Sequence, residues 1–191
     1  LKDADYAEEN STDLRVFAYK KLTLDASTKT IVVRARTFTG QNGVGSGHDG
    51  QVYPQLVLML IAANGSQVPI GGNLATVDNG ERCEDFYFTF DVPAGDYTFV
   101  VGMARGQRLA LESILFRGAM VTGNVTGTVK VNGAPVEEAT VSYSYGKNVS
   151  ASVTTAADGM FTLPVSLLPD GRTVVTVSTE GKLQTFEVSA S

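Results

Sequence analysis

The sequence predicts an all-β protein built as two β-sandwich domains in series. Three observations point there. Short runs of β-branched and aromatic residues recur along the whole 191-residue chain. Glycine, asparagine and aspartate cluster between those runs, where turns between strands need them. No segment carries an apolar stripe at helical spacing; only Asp3 to Asp13 suits a short helical turn, and it is too polar to pack.

In the first domain, residues 1–118, strands are expected at Val16–Tyr19, Lys21–Leu24, Thr30–Phe38, Gln55–Ala62, Phe86–Val92, Tyr97–Gly102 and Leu109–Phe116. Turn-rich stretches separate them: Gly40 to Gly50, Asn64-Gly65, Gly71-Gly72, Asp78-Asn79-Gly80 and Pro93 to Asp96. Phe86, Phe88, Phe90 and Val92 alternate with Tyr87, Thr89 and Asp91, so period two sends the phenylalanines to the core. Each buried ring is worth roughly 1.5–3 kcal/mol, and Phe88→Ala should cost more than any nearby surface change.

Gln55–Ala62 differs, because both of its faces are apolar. Leu56, Leu58, Leu60 and Ala62 line one; Val57, Met59 and Ile61 line the other. An antiparallel sheet ordinarily wets its outer face. The second face is therefore expected to be covered, by a loop, by the other domain or by a partner at Val57, Met59 and Ile61.

Gly118 to Gly123 reads as a short linker, followed by a second domain at residues 124–191. Its strands are expected at Val125–Val131, Ala139–Tyr145, Val149–Thr154, Met160–Val165, Arg172–Ser178 and Leu183–Ser189. Asn132-Gly133, Asp158-Gly159 and Glu180-Gly181 supply tight turns between antiparallel strands. Pro135 and Pro164 demand strand edges or loop junctions, since proline cannot donate to a ladder.

Residues Gly127–Val188 resemble the carboxypeptidase regulatory-like (transthyretin-like) β-sandwich family. The resemblance rests on Gly127-Thr-Val, Gly133-Ala-Pro-Val, Ala139-Thr-Val141, Thr155-Ala-Ala-Asp158-Gly159-Met-Phe161 and Val174 to Gly181. It implies a small accessory sandwich and is nearly silent about activity. The first domain resembles galactose-binding-like jelly-roll modules. Phe90-Asp-Val-Pro-Ala-Gly-Asp-Tyr97-Thr-Phe, followed by Leu109 to Phe116, has the cadence of their closing strands. The chain has no tryptophan, the favoured platform for sugars, which weighs against a sugar site.

Composition narrows the function. Net charge is −5 with dispersed basic residues, which argues against nucleic acid. No apolar run approaches a membrane span; the longest, Leu56 to Ala63, is strand-sized. The single cysteine, Cys83, can form no internal disulfide, and Glu84-Asp85 beside it disfavour a reactive thiolate. His48 is the only histidine, so a metallocarboxypeptidase zinc site is out of reach. Gly45-Ser-Gly47-His-Asp-Gly50 has dinucleotide-loop spacing but leads into a strand rather than the required helix. Asn10, Asn64, Asn124 and Asn148 each open a glycosylation acceptor pattern.

Three sets of candidate residues remain. His48, Asp49 and Tyr53 lie in a long rim loop suited to ligand contacts. Asp78, Glu81, Glu84 and Asp85 form an acidic cluster that a calcium ion would accept, although a solvated acidic surface is the simpler explanation. Val57, Met59 and Ile61 form the partner surface. Apart from calcium no cofactor is expected, and no catalytic set is visible. The sequence thus suggests a non-enzymatic protein, secreted or on a cell or particle surface, mediating adhesion, assembly or structural support with other protein subunits. The alternatives are a carbohydrate-binding accessory module that contacts glycan, and a repeating subunit of a filament or capsid whose segment Leu1–Asp13 adds a strand to a neighbour.

Overall fold

The computed structural model describes residues 14–38, 55–70, 83–104 and 108–190, and among them there are strands and turns but no helix. The chain divides into two compact units, Leu1–Arg117 and Gly118–Ser191.

The first unit holds β1 (Leu14–Leu24), β2 (Thr28–Phe38), β3 (Gln55–Ala62), β4 (Gln67–Ile70), β5 (Glu84–Thr89), β6 (Gly95–Ala104) and β7 (Arg108–Gly118). They form a four-stranded sheet ordered β1-β6-β3-β4 and a three-stranded sheet ordered β5-β2-β7. One core joins the two layers. Leu58 and Leu60 of β3 and Phe99 and Val101 of β6 meet Ile31 and Val33 of β2 and Phe86 and Phe88 of β5. Phe86 is more deeply buried than Phe88, at 1% against 9% exposed.

Local chemistry explains the connections. Asp25 turns the chain from β1 in one sheet to β2 in the other. Its carboxylate accepts hydrogen bonds from the Ser27 and Thr28 amides and from both hydroxyls, at 2.6–2.9 Å. The Ser27 hydroxyl leads these bonds in holding the Asp25 carboxyl below its ordinary pKa. Tyr97 packs its ring in the core and donates its hydroxyl to the Pro93 carbonyl at 2.8 Å, clamping the turn before β6. Phe116 stacks edge-on against Phe99 and Phe90, with ring centroids 5.1 and 6.3 Å away.

Three differences from the expected strands concern their limits. The strand expected at Phe86–Val92 is β5, Glu84–Thr89, so Phe90 and Val92 lie beyond its end. Val16–Tyr19 and Lys21–Leu24 are one strand, with a register irregularity between Val16 and Ala18. β4 is absent from the sequence reading because it is only four residues long and contains Pro69. As an edge strand paired with β3 alone, it tolerates a residue without an N–H.

Among the described residues one buried side-chain group is unpaired. Thr30 is fully buried on β2, and its hydroxyl has no hydrogen-bond partner among the described residues. Thr30→Val keeps the shape and removes the desolvated hydroxyl, so it is expected to raise stability by about 1 kcal/mol in urea denaturation. A lower midpoint would refute this.

The second unit holds β8 (Val121–Thr128), β9 (Lys130–Val131), β10 (Ala134–Pro135), β11 (Thr140–Tyr145), β12 (Val149–Thr154), β13 (Met160–Leu167), β14 (Arg172–Thr179) and β15 (Lys182–Ser189). A four-stranded sheet, β12-β11-β14-β15, faces the β13-β8 pair, and β9 and β10 form a separate small hairpin. Val141 and Tyr143 of β11 and Val175 of β14 share a core with Phe161, Leu163 and Leu167 of β13. The residues between β7 and β8 are Ala119 and Met120; Val121, Thr122 and Gly123, which the sequence reading placed in a linker, belong to β8.

The turn residues behave as their chemistry requires, with one correction. Asn132 and Gly133 take positive φ (51° and 85°) in the β9–β10 hairpin, and Gly181 does so (70°) between β14 and β15. Asp158-Gly159 does not close a hairpin. It carries the chain from β12 to β13, which lie in opposite sheets. Thr155 secures the start of that crossing. Its hydroxyl donates to the Val136 carbonyl at 2.6 Å and accepts the Ala139 amide at 2.9 Å. Gly127 lies opposite Phe161 across the β8–β13 ladder, and a Cβ at Gly127 would stand 2.9 Å from that ring.

Candidate functional site: an outer sheet face and a groove between two strand edges

The first candidate surface is the outer face of the β1-β6-β3-β4 sheet. Strand alternation turns Leu58 and Leu60 inward and leaves Val57, Met59 and Ile61 outward, half-buried. The ladders set their neighbours. Met59 pairs with Val100 of β6 and Pro69 of β4, and Val100 pairs on its far side with Tyr19 of β1. The next outward row runs Lys21, Thr98, Ile61, Gln67. Val100 is 8% exposed despite facing outward, while Tyr19 at the sheet margin is 73% exposed. An apolar ridge thus crosses the sheet, with a largely uncovered tyrosine at one end.

The sequence-predicted sets fare differently. His48, Asp49 and Tyr53 lie outside the described residues, as do Asp78 and Glu81. Glu84 and Asp85 are consecutive on β5, so the strand sends them to opposite faces rather than together. Asp85 accepts a bond from Arg34 on β2 at 3.2 Å, and Arg34 reaches Glu112 on β7 at 3.3 Å. The Asp85 charge, then that of Glu112, holds the Arg34 guanidinium above its ordinary pKa. Among the described residues no group of three His, Cys, Asp or Glu could hold a metal ion, and no helix is long and apolar enough to cross a membrane.

The second candidate surface was not visible as a site in the sequence. A groove of about 560 Å³ opens in the second unit between β12 on one wall and β13 and β8 on the other. Val149, Ser150 and Ala151 form the β12 wall; Pro164, Val165 and Ser166 form the β13 wall. Tyr143 closes the floor, its ring buried and its oxygen accepting the Ser166 amide at 2.8 Å. Asn124 and Asn148 stand at the margin. No residue lining the groove carries a charged side chain. Such a surface suits a neutral ligand and offers no acid–base pair.

Partial signals for the groove were present. Pro164 marks a free edge, and two of the glycosylation patterns fall on its rim. What sequence could not supply is that Val149–Thr154 and Met160–Leu167, consecutive strands, diverge into opposite sheets and leave a gap between them. No family model, curated protein or solved structure matches the chain.

Proposed function

We propose that this is a non-catalytic surface or extracellular protein that supports adhesion or assembly by docking another protein subunit on the outer face of the β1-β6-β3-β4 sheet. The observation that carries the reading is the ridge of Val57, Met59, Ile61 and Val100, apolar on the face that a two-layer protein ordinarily gives to water. Tyr19 at its margin is the amphipathic aromatic that protein interfaces favour. Described charges support a structural rather than catalytic use. Arg34 spans Asp85 and Glu112, Lys29 pairs with Asp91, and Arg172 pairs with Glu187.

An extracellular or particle-surface setting is supported by the acceptor asparagines: Asn64, Asn124 and Asn148 are all exposed. The accessory-module resemblance of residues Gly127–Val188 agrees with such a role. The glycan-contact candidates His48, Asp49 and Tyr53 and the calcium candidates Asp78 and Glu81 lie outside the described residues, and neither ligand adds to this proposal.

Met59→Lys tests the reading. Met59 is outward and half-buried, so a lysine can carry its charge to water along its alkyl stem. The expected result is a smaller mass in size-exclusion chromatography with light scattering and a melting temperature within about 3 °C of the parent. An unchanged mass, or a monomeric parent protein, overturns the docking role.

A further inference from the structure

We propose that the groove of the second unit binds an extended, uncharged polypeptide segment, which adds as a strand to the free edge of β12. This site is independent of the outer-face docking in the first unit.

Hydrogen-bond alternation identifies which backbone groups face the groove. The Thr155 amide donates to the Ala139 carbonyl at 3.0 Å. Counting back along the antiparallel β11–β12 register by twos, Val153, Ala151 and Val149 exchange bonds with β11. Ser150, Ser152 and Thr154 therefore turn their N–H and C=O groups the other way. No described strand pairs with that edge, since β12 ends its sheet. The edge is six residues long, uncharged and free of proline, so it has none of the devices that commonly protect an exposed strand.

The opposite wall is protected. The Val129 amide donates to the Gly159 carbonyl at 2.9 Å, and the same alternation along the β8–β13 register directs Thr162, Pro164 and Ser166 away from β8. Pro164 has no N–H to offer, and the Ser166 N–H is already bonded to the Tyr143 hydroxyl. A guest strand therefore finds donors and acceptors on β12 and a mainly steric wall on β13. That asymmetry fixes which edge is extended, because the β13 residues lining the groove turn no free N–H towards it.

Charge complementarity selects the occupant. The chain is 18% charged overall, yet the groove lining contains no Asp, Glu, Lys, Arg or His. A charged guest side chain entering between the walls would lose water without gaining a partner. Hydroxyl, small and β-branched side chains fit, alternating between the Val149, Ala151 and Val165 surfaces and solvent. The volume accommodates a few extended residues at about 3.3–3.4 Å each. Main-chain bonding gives affinity and the neutral walls give selectivity, the usual division in strand addition. A polysaccharide is less suited, because the one aromatic ring in the lining, Tyr143, is buried and cannot stack on a sugar.

The test uses the full chain from bacterial expression and an acetylated, amidated hexapeptide of alternating Thr and Val, with a Glu-and-Val hexapeptide as its charged counterpart. The expected result is saturable binding of the neutral peptide in the micromolar to millimolar range and at least tenfold weaker binding of the charged one. In heteronuclear NMR the Ser150 and Ser152 amides should shift and gain exchange protection, while Thr162 and Ser166 change little. Ser150→Pro removes an edge donor without touching the β11 ladder and should raise Kd at least tenfold. Ser150→Ala keeps the amide and should stay within threefold of the parent. No binding at 1 mM, equal effects of the two Ser150 substitutions, or amide shifts confined to other strands would overturn the proposal. So would a neutral oligosaccharide, maltoheptaose, shifting the Ser150 and Ser152 amides in place of the peptide. Because the NMR readout uses the unsubstituted chain, a poorly folding Ser150→Pro leaves the question decidable.

Discussion

Phe86→Ala is expected to lower the stability of the first unit by about 3–5 kcal/mol, the range for emptying a phenylalanine site in a packed core. Phe86 is 1% exposed and sits on β5 opposite fully buried Val33, within the cluster that joins the two sheets. Losing the ring opens a space between two sheets whose backbones are fixed by their own ladders, so the neighbours close it only in part. A domain of this kind has only about 5–15 kcal/mol in hand, and the substitution consumes a large part of it. Urea denaturation followed by tyrosine fluorescence should show an earlier midpoint. Phe90→Ala provides the comparison: Phe90 is only partly buried, and its loss should cost less. A loss below about 1 kcal/mol for Phe86→Ala would show that the two layers do not share the core described.

Gly159→Ala is expected to destabilise the second unit by about 3 kcal/mol. Two effects combine. Gly159 has φ of 76°, a left-handed conformation that costs a side-chain-bearing residue roughly 1–2 kcal/mol. A Cβ there would also stand 2.5 Å from the Val129 carbonyl oxygen and 3.1 Å from Cβ of Pro135. Relief requires moving the backbone whose carbonyl accepts the Val129 amide. Gly181→Ala separates the two effects, since Gly181 has φ of 70° but open space around its missing side chain. It should cost only the conformational part. Equal losses for both substitutions would remove the steric half of the argument.

These two positions show how far sequence reading extends. The shared face of Phe86 and Phe88 is a property of the chain itself, because successive residues on a strand face opposite ways whatever lies around them. The glycine after Asp158 was legible in the same sense, as a residue fit for positive φ. Its partner was not. Asp-Gly pairs suit hairpins, yet this one spans between sheets, and only the packed Val129 carbonyl makes glycine obligatory there. The two-sided apolar character of Gln55–Ala62 was likewise legible, while the ridge it forms required its neighbours. Val100, Pro69 and Tyr19 come from three other strands, and no local pattern sets their register against Met59.

The amino-acid order alone determined that this chain is all-β, where most of its strands run, which side of the phenylalanine strand is buried and where the backbone turns. Those properties depend on neighbours in the chain: alternation, φ preference and the missing N–H of proline. Tertiary structure decided which strands pair, that β12 and β13 part into opposite layers, and that one wall of the resulting groove keeps open hydrogen-bonding groups while the other is closed by Pro164 and Tyr143. Those outcomes depend on contacts between residues distant in sequence, and the packing of whole layers selects among pairings that local preference leaves equivalent.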